Sequence, residues 1–179
     1  MKPSIILLFL CSLLIAGCSS EPTLQKYFVE KTESKNFIAL DVSPTILNLD
    51  GNKLTAEETE ALASFDKMNI LAFKLNDANK ADFESEKAKV KEILKDEKYQ
   101  ELMKVGMGKD GGGSLSFVGD EDHIDEFILF ANQKKSGFAV VRILGKDMNP
   151  QGVMTLMSVL QKSNVDMEQF AALKGMLPK

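Results

Sequence analysis

A cluster of acidic side chains surrounds the single histidine of this 179-residue chain. Residues 120–126 read Asp-Glu-Asp-His-Ile-Asp-Glu, and carboxylates with an imidazole suit calcium or manganese. A calcium loop needs oxygen ligands at positions 1, 3 and 5 and glycine at position 6. Counted from Asp120, position 5 is Ile124 and position 6 is Asp125, so the segment does not match a calcium-binding loop. We therefore interpret the Asp120–Glu126 cluster, with His123, as a solvated turn before a strand and assign no metal ligand.

Two glycine-rich stretches, residues 106–109 and 111–114, have some features of phosphate-binding loops. A Walker loop places Ser or Thr after its lysine and opens a helix. Lys109 is instead followed by Asp110 and then by strand-like residues. We expect residues 109–113 to form a flexible hairpin connection.

Nucleophilic catalysis has little support in the sequence. A serine triad of the hydrolase type needs a histidine and a G-x-S-x-G turn, and the sequence has no such turn. A pair of carboxylates, as in glycosidases, stays open because any of the 26 acidic residues could face another across a cleft. We assign no catalytic residue.

The first 17 residues have the pattern of a secretory signal. Lys2 supplies a positive start, and an apolar run from Ile5 to Ala16 follows, interrupted only by Ser12. This run of about 12 residues is shorter than the roughly 20 that a spanning helix needs. We predict that residues 1–17 are a signal peptide removed from the mature chain.

The apolar run ends in Leu14-Ile15-Ala16-Gly17-Cys18, which resembles the lipobox of bacterial lipoproteins. The resemblance implies that Cys18 becomes the mature N-terminus and carries a diacylglyceryl thioether, usually with a third acyl chain. Two or more acyl chains give stable membrane attachment. The alternative is an ordinary secretory signal that happens to contain a cysteine.

Residues 18–23 follow as a short polar tether, so the domain is expected to lie close to the bilayer. Ser19 is not the aspartate associated with inner-membrane retention, which favours the outer membrane, facing the periplasm. The expected partners are membrane lipid, through acylated Cys18, and an envelope protein.

Composition narrows the chemistry further. The chain has 22 basic and 26 acidic side chains, and loss of the signal removes one basic residue, Lys2. A basic stripe, the usual footprint of nucleic-acid binding, is not present. Cys11 leaves with the signal and Cys18 is consumed by lipid, which excludes disulfides, zinc–cysteine sites and cysteine nucleophiles from the mature domain. We predict no cofactor.

Residues 24–179 are predicted to form one α+β domain, a mostly antiparallel sheet with helices packed on one face. Thr55 and Glu58 have the spacing of a helix-capping box, and Asn149-Pro150 that of another helix start. A C-terminal strand meander is followed by two helices. Apolar helix faces, expected to fill the core, hold Met154, Met157, Met167 and Met176. The expected helices cover residues 24–34, 55–65 and 80–96, a segment that starts at residue 150, and residues 165–174. The expected strands cover residues 37–42, 69–75, 101–107, 114–119, 126–132 and 138–144.

Several segments together resemble one family. They are the lipobox, residues 24–28, the strand ending in Val42-Ser43-Pro44, residues 99–105 and the hairpin into residues 137–141. The chain resembles the Bacteroidota lipoproteins catalogued as domain of unknown function 4252. The resemblance implies an envelope location and a single α+β domain, and it carries no catalytic residues.

The sequence therefore favours a membrane-anchored, non-catalytic envelope lipoprotein that serves as a binding, sensing or accessory module. The alternative is a hydrolase of the cell envelope that depends on carboxylates or on a metal at residues 120–126. A purely structural role in assembly is a third possibility, favoured if the fold exposes a large apolar patch.

Overall fold

The computed structural model describes residues 22–47, 54–106 and 111–162. Four α-helices and a six-stranded sheet make up these residues, with a short 3₁₀ helix at Pro44–Leu47. The helices are α1 (Leu24–Lys31), α2 (Ala56–Ala63), α3 (Lys80–Ile93) and α4 (Pro150–Lys162). The strands are β1 (Phe37–Val42), β2 (Phe65–Lys74), β3 (Gln100–Gly106), β4 (Gly111–Asp120), β5 (His123–Gln133) and β6 (Gly137–Met148).

The strands form a single sheet in the order β1-β2-β6-β5-β4-β3, and each neighbouring pair is antiparallel. The run from β3 to β6 is a meander of hairpins, as predicted. The α3 segment carries the chain from β2 to the far edge strand β3, and β6 returns to lie beside β2. The α+β class and the final helix after the meander are confirmed.

The helices pack on both faces of the sheet, and not on the single face that was expected. Successive strand residues point to opposite faces, and β2 contributes Ile70 to one core cluster and Leu71 to the other. We name the faces after their longest helices. The α4 face carries α2 and α4, with Leu62, Val153 and Leu156 in its core. The α3 face carries α1 and α3 over stacked aromatic rings such as Phe73 and Phe138, whose centroids are 5.5 Å apart.

This arrangement follows from the central strands, which are apolar at nearly every position. A strand with only one apolar side needs helices on one face, whereas β2 buries residues 68–73 on both sides. Burying both sides requires a helical layer above and another below. The continuous apolar pattern of β2 is therefore the sequence feature that determines the three-layer arrangement.

Helix and strand ends follow the local signals closely in several places. Strand β1 has the predicted bounds, and the Thr55–Glu58 capping box is formed in both directions. The Asn149 side chain accepts a hydrogen bond from the Gly152 amide over 2.7 Å, which confirms the predicted start of α4. The sequence Asp50-Gly51-Asn52, which is typical of a turn, and the helix predicted at 165–174 lie outside the described residues.

Two local expectations were wrong. Gly111–Gly113 belong to β4 and not to a flexible loop, because their missing side chains let the backbone of β5 approach closely. A Cβ atom on Gly113 would stand 2.7 Å from the Phe130 carbonyl oxygen. Met154 does not fill the core, since its side chain is 68% exposed. The side chain of Met157 and the residues Met167 and Met176 lie outside the described part.

Candidate functional site

The acidic residues around His123 do not come together at one point. Glu121 and Asp122 form the turn between β4 and β5, which places His123 at the first position of β5. Glu126 is directed instead toward Arg142 on β6, and Ile124, which lies between His123 and Glu126 in the sequence, is buried in the core. Among the residues that the structure describes, no group of three or more His, Cys, Asp or Glu side chains is placed to hold a metal ion.

His123 has a partner that is distant in sequence. Its Nδ1 lies 2.9 Å from Oδ1 of Asp147, 24 residues later, and the two side chains are 69% and 79% exposed. The hydrogen bond orients the imidazole, and both side chains stay accessible to water. The histidine is thus a surface group held toward the end of β6.

A bulge in the sheet places Asp147 opposite His123. Ile124 pairs with Met148 and Glu126 pairs with Leu144, so one residue of β5 faces residues 145–147 of β6. Asp147 takes a φ of +51°, the left-handed region in which aspartate is one of the better tolerated residues. Residues 145–147 have no partner in the β5–β6 ladder, while Gly145 still pairs with Phe65 of β2, next to the end of α2.

Residues 146 and 147 also line a cleft of about 440 Å³ between α2 and α4. The backbone amide of Lys146 donates to the Ser64 carbonyl oxygen over 2.9 Å, which ties the bulge to the end of α2. Small residues, Ala61 and Gly152, leave room between the two helices. The polar and charged residues that line this space, the α2–α4 cleft, are Glu57, Glu60, Ser64, Lys146, Asp147, Asn149, Gln151 and Thr155.

The charges of the α2–α4 cleft are unbalanced. Its lining carries the carboxylates of Glu57, Glu60 and Asp147 against the single ammonium of Lys146. Unlike these residues, Glu58 turns back to the Thr55 amide in the capping box and holds the start of α2. A cleft lined mainly by one sign of charge attracts ligands of the opposite sign.

A buried ionic cluster lies on the other face of the sheet and was not predicted. Arg142, 4% exposed, donates from Nε and Nη2 to the two carboxylate oxygens of Glu126, over 2.5 and 3.2 Å. Its Nη1 donates to Gln25 of α1 over 2.6 Å, and its guanidinium lies over the Phe28 ring. The sequence signal was a lone arginine in an apolar strand. Because its three guanidinium nitrogens have partners, this cluster has a structural role, joining α1 to the sheet.

A second buried cluster joins α1 to α3. The hydroxyl of Tyr27 donates to Glu86 Oε2 over 2.9 Å, while Lys31 and Lys89 approach Glu86 Oε1. Burial, followed by the bond to Glu86, raises the pKa of Tyr27 far above its usual value. Burial alone would raise the pKa of Glu86, but the bonds from Lys89, Tyr27 and Lys31 lower it overall. The described residues include no buried side-chain nitrogen or oxygen without a partner.

The predicted lipidation site, Cys18, lies outside the described residues and stays a prediction. Leu24, the first residue of α1, is fully buried, and its amide is 3.2 Å from the Tyr99 hydroxyl oxygen. No helix in the described ranges is long and apolar enough to cross a membrane.

The comparisons with known proteins give one result. A family model described as Domain of unknown function (DUF4252) matches residues 27–156, which run from α1 into α4. No curated protein and no solved structure matches the chain significantly. Since the matched range covers well over half of the chain, this protein belongs to the DUF4252 family.

Proposed function

We propose that this protein is a lipid-anchored lipoprotein of the bacterial cell envelope that binds a small, positively charged polar ligand in the α2–α4 cleft. Anchoring is through acylated Cys18, with the outer membrane, facing the periplasm, as the location. The role is that of a non-catalytic binding or sensing module. The observation that carries the ligand assignment is the excess of carboxylates around a cleft of ligand size.

The tether supports a position next to the membrane. Only residues 19–23 separate Cys18 from Leu24, where the chain is already packed into the α3-face core. Six residue steps span at most about 20 Å. A domain anchored at Cys18 would therefore sample ligands within a few nanometres of the lipid surface.

The cleft supports recognition of a small cation. Its volume of about 440 Å³ falls in the usual range for small-molecule sites, roughly 300–1,000 Å³. Glu57 and Glu60 stand on the α2 side, and the Asn149 and Thr155 side chains provide hydrogen-bonding groups on the α4 side. A ligand with an ammonium group and further polar groups fits this lining, whereas an anion would meet three carboxylates.

Calorimetric titration of the full chain in detergent micelles, with putrescine and free lysine as probes, tests this assignment. We expect binding of at least one probe, and a loss of at least tenfold in affinity when Glu57→Gln and Glu60→Gln are combined. The matched control is Glu84→Gln with Glu92→Gln, two exposed glutamates of α3, which should leave affinity unchanged. Equal affinity in both double variants, or binding of neither probe, would refute the assignment.

The anchor has its own test. Replacing Cys18 by Ala should abolish acylation and release the protein from the membrane fraction, while Cys11→Ala should change neither. Acylated Cys18→Ala protein in the membrane would contradict the proposed anchor.

Hydrolysis is the second candidate, and the His123–Asp147 pair at the edge of the cleft is the observation in its favour. A histidine oriented by a carboxylate is a common general base. The metal-dependent version has no assembled ligand set among the described residues. Turnover of chromogenic esters or glycosides that disappears in His123→Ala, with the fold retained, would favour the hydrolase over the binding module.

A further inference from the structure

The α4 face of the sheet is apolar well beyond the region that α2 and α4 cover. Side chains on this face form rows across the strands, because cross-strand partners share a face. The first row is fully buried and consists of Val42, Met68, Ile143, Phe127 and Phe117. The second row, two residues farther along each strand, crosses all six strands through Leu40, Ile70, Val141, Leu129, Leu115 and Met103.

Burial in the second row falls off from the centre of the sheet toward β3. Ile70 is buried, Val141 and Leu115 are half-buried, and Leu129 and Met103 are 42% and 52% exposed. We call these last four residues (Val141, Leu129, Leu115 and Met103) the apolar strip. It crosses three strand spacings, or about 14 Å.

Small residues adjoin the apolar strip on the side away from the first row. Ala139, Ala131 and Gly113 are cross-strand partners on β6, β5 and β4. These small residues form a third row beside the larger side chains of the apolar strip. The difference in size leaves a step in the surface. Such a step accepts bulky apolar side chains from a covering segment.

We infer that the C-terminal segment of this chain, residues 163–179, packs on the apolar strip. The described part of the chain ends on this face. Val159 in the last turns of α4 is 1% exposed, so α4 is still packed three residues before its end at Lys162. Seventeen residues follow Lys162 in the sequence, which is ample to reach across about 14 Å.

The composition of this segment suits the strip. Met167, Phe170 and Leu173 recur every three residues, a spacing that gives one apolar side in a helix. A ten-residue helix is about 15 Å long, close to the width of the strip. Phe170 is large enough to fill the step beside the small residues. Met167 is flexible enough to adapt to the same step.

Photocrosslinking of the full chain tests this placement. With benzoylphenylalanine at position 170, we expect intrachain products with peptides of β4 and β5. The matched control places the same group at Val29, an exposed apolar residue of α1 on the α3 face, and should give none of these products. Products only between two copies, or only with another protein, would overturn the inference, as would the absence of any product with β4 or β5.

A second variant shows whether the apolar strip itself is the contact. Leu129→Asp should lower the yield of the position-170 product at least fivefold, because it puts a charge into the strip. Lys134→Asp, in the exposed β5–β6 turn, should leave the yield unchanged. Circular dichroism confirms that each variant is folded, and an unchanged yield in folded Leu129→Asp would refute the contact.

Discussion

Arg142 and Glu126 form a two-point ion pair between neighbouring strands, with donor–acceptor distances of 2.5 and 3.2 Å. Arg142 is almost completely buried, and Glu126 is nearly so. Removing one partner of such a pair leaves an uncompensated buried charge. The pair thus makes the contact between α1 and the sheet depend on electrostatics as well as on apolar packing.

We expect Arg142→Met to destabilise the protein by about 3–5 kcal/mol, because Glu126 then stays buried without its partner. Combining Arg142→Met with Glu126→Met should recover part of that loss, since no unpaired charge is left. Urea unfolding followed by circular dichroism measures both. Lys95→Met is the control, as it breaks an exposed pair with Glu92 and should cost less than about 1 kcal/mol. A single variant no less stable than the wild type would contradict this account.

Acid should destabilise the protein partly through Glu86. Its pKa lies below the ordinary value of 4.5, so its stabilising contribution is present above that value and is lost as the pH falls through the lowered pKa. Unfolding free energies measured from pH 6 to pH 3 should fall less steeply in Glu86→Gln than in the wild type. Asp77→Asn is the control: Lys80 lowers the pKa of Asp77 as well, but this pair is exposed and screened by water, so its loss should leave the slope nearly unchanged. Equal slopes in wild type and Glu86→Gln would rule out the proposed contribution.

Gly137 should be intolerant of a side chain. It has a φ of +125°, and a Cβ atom there would stand 1.9 Å from the Phe73 carbonyl oxygen of β2. Gly137→Ala should therefore cost about 3 kcal/mol or more, since both the backbone and the β2–β6 contact must shift. Gly106→Ala, at the end of β3, meets nothing within 4 Å and should change stability by less than about 1 kcal/mol. Thermal unfolding of the two variants provides the comparison, and similar midpoints would contradict it.

Divalent cations should not stabilise the fold through residues 120–126. His123 bonds to Asp147 and Glu126 to Arg142, so these side chains are directed to different places. A ligand that binds the folded state raises its melting temperature. We expect shifts below about 1 °C with millimolar calcium, manganese or zinc. A larger shift that disappears in Asp122→Asn would instead support a metal site in this turn.

Local sequence signals predicted the helices and strands. The placement of the helices on two faces depends on long-range strand pairing and could not be predicted. Strand β1 lies between Asn36 and Ser43-Pro44, which stop it on both sides, so its bounds were clear from the sequence. The Thr55–Glu58 box likewise needs only four residues. By contrast, the helices on two faces follow from which strands become neighbours, and β2 pairs with β6 across more than 60 residues of chain.

The candidate site was less predictable than the fold. His123 was recognised as chemically notable, but its partner Asp147 depends on a bulge whose register no local pattern indicates. The α2–α4 cleft likewise brings Glu57 and Glu60 near Lys146 only after β6 is in place. The isolated Arg142 inside an apolar strand was the one visible sign of a buried ionic cluster, because a lone charge there requires a partner.

The buried start of α1 also decides where a mechanical load would enter the domain. A pull on the chain before Thr23 reaches Leu24, whose amide lies against the Tyr99 hydroxyl and whose side chain lies in the core. Because Tyr99 directly precedes β3, the force passes to an edge strand of the sheet and not to a frayed end. A load applied before Thr23 would therefore reach the β3 edge of the sheet before its central strands.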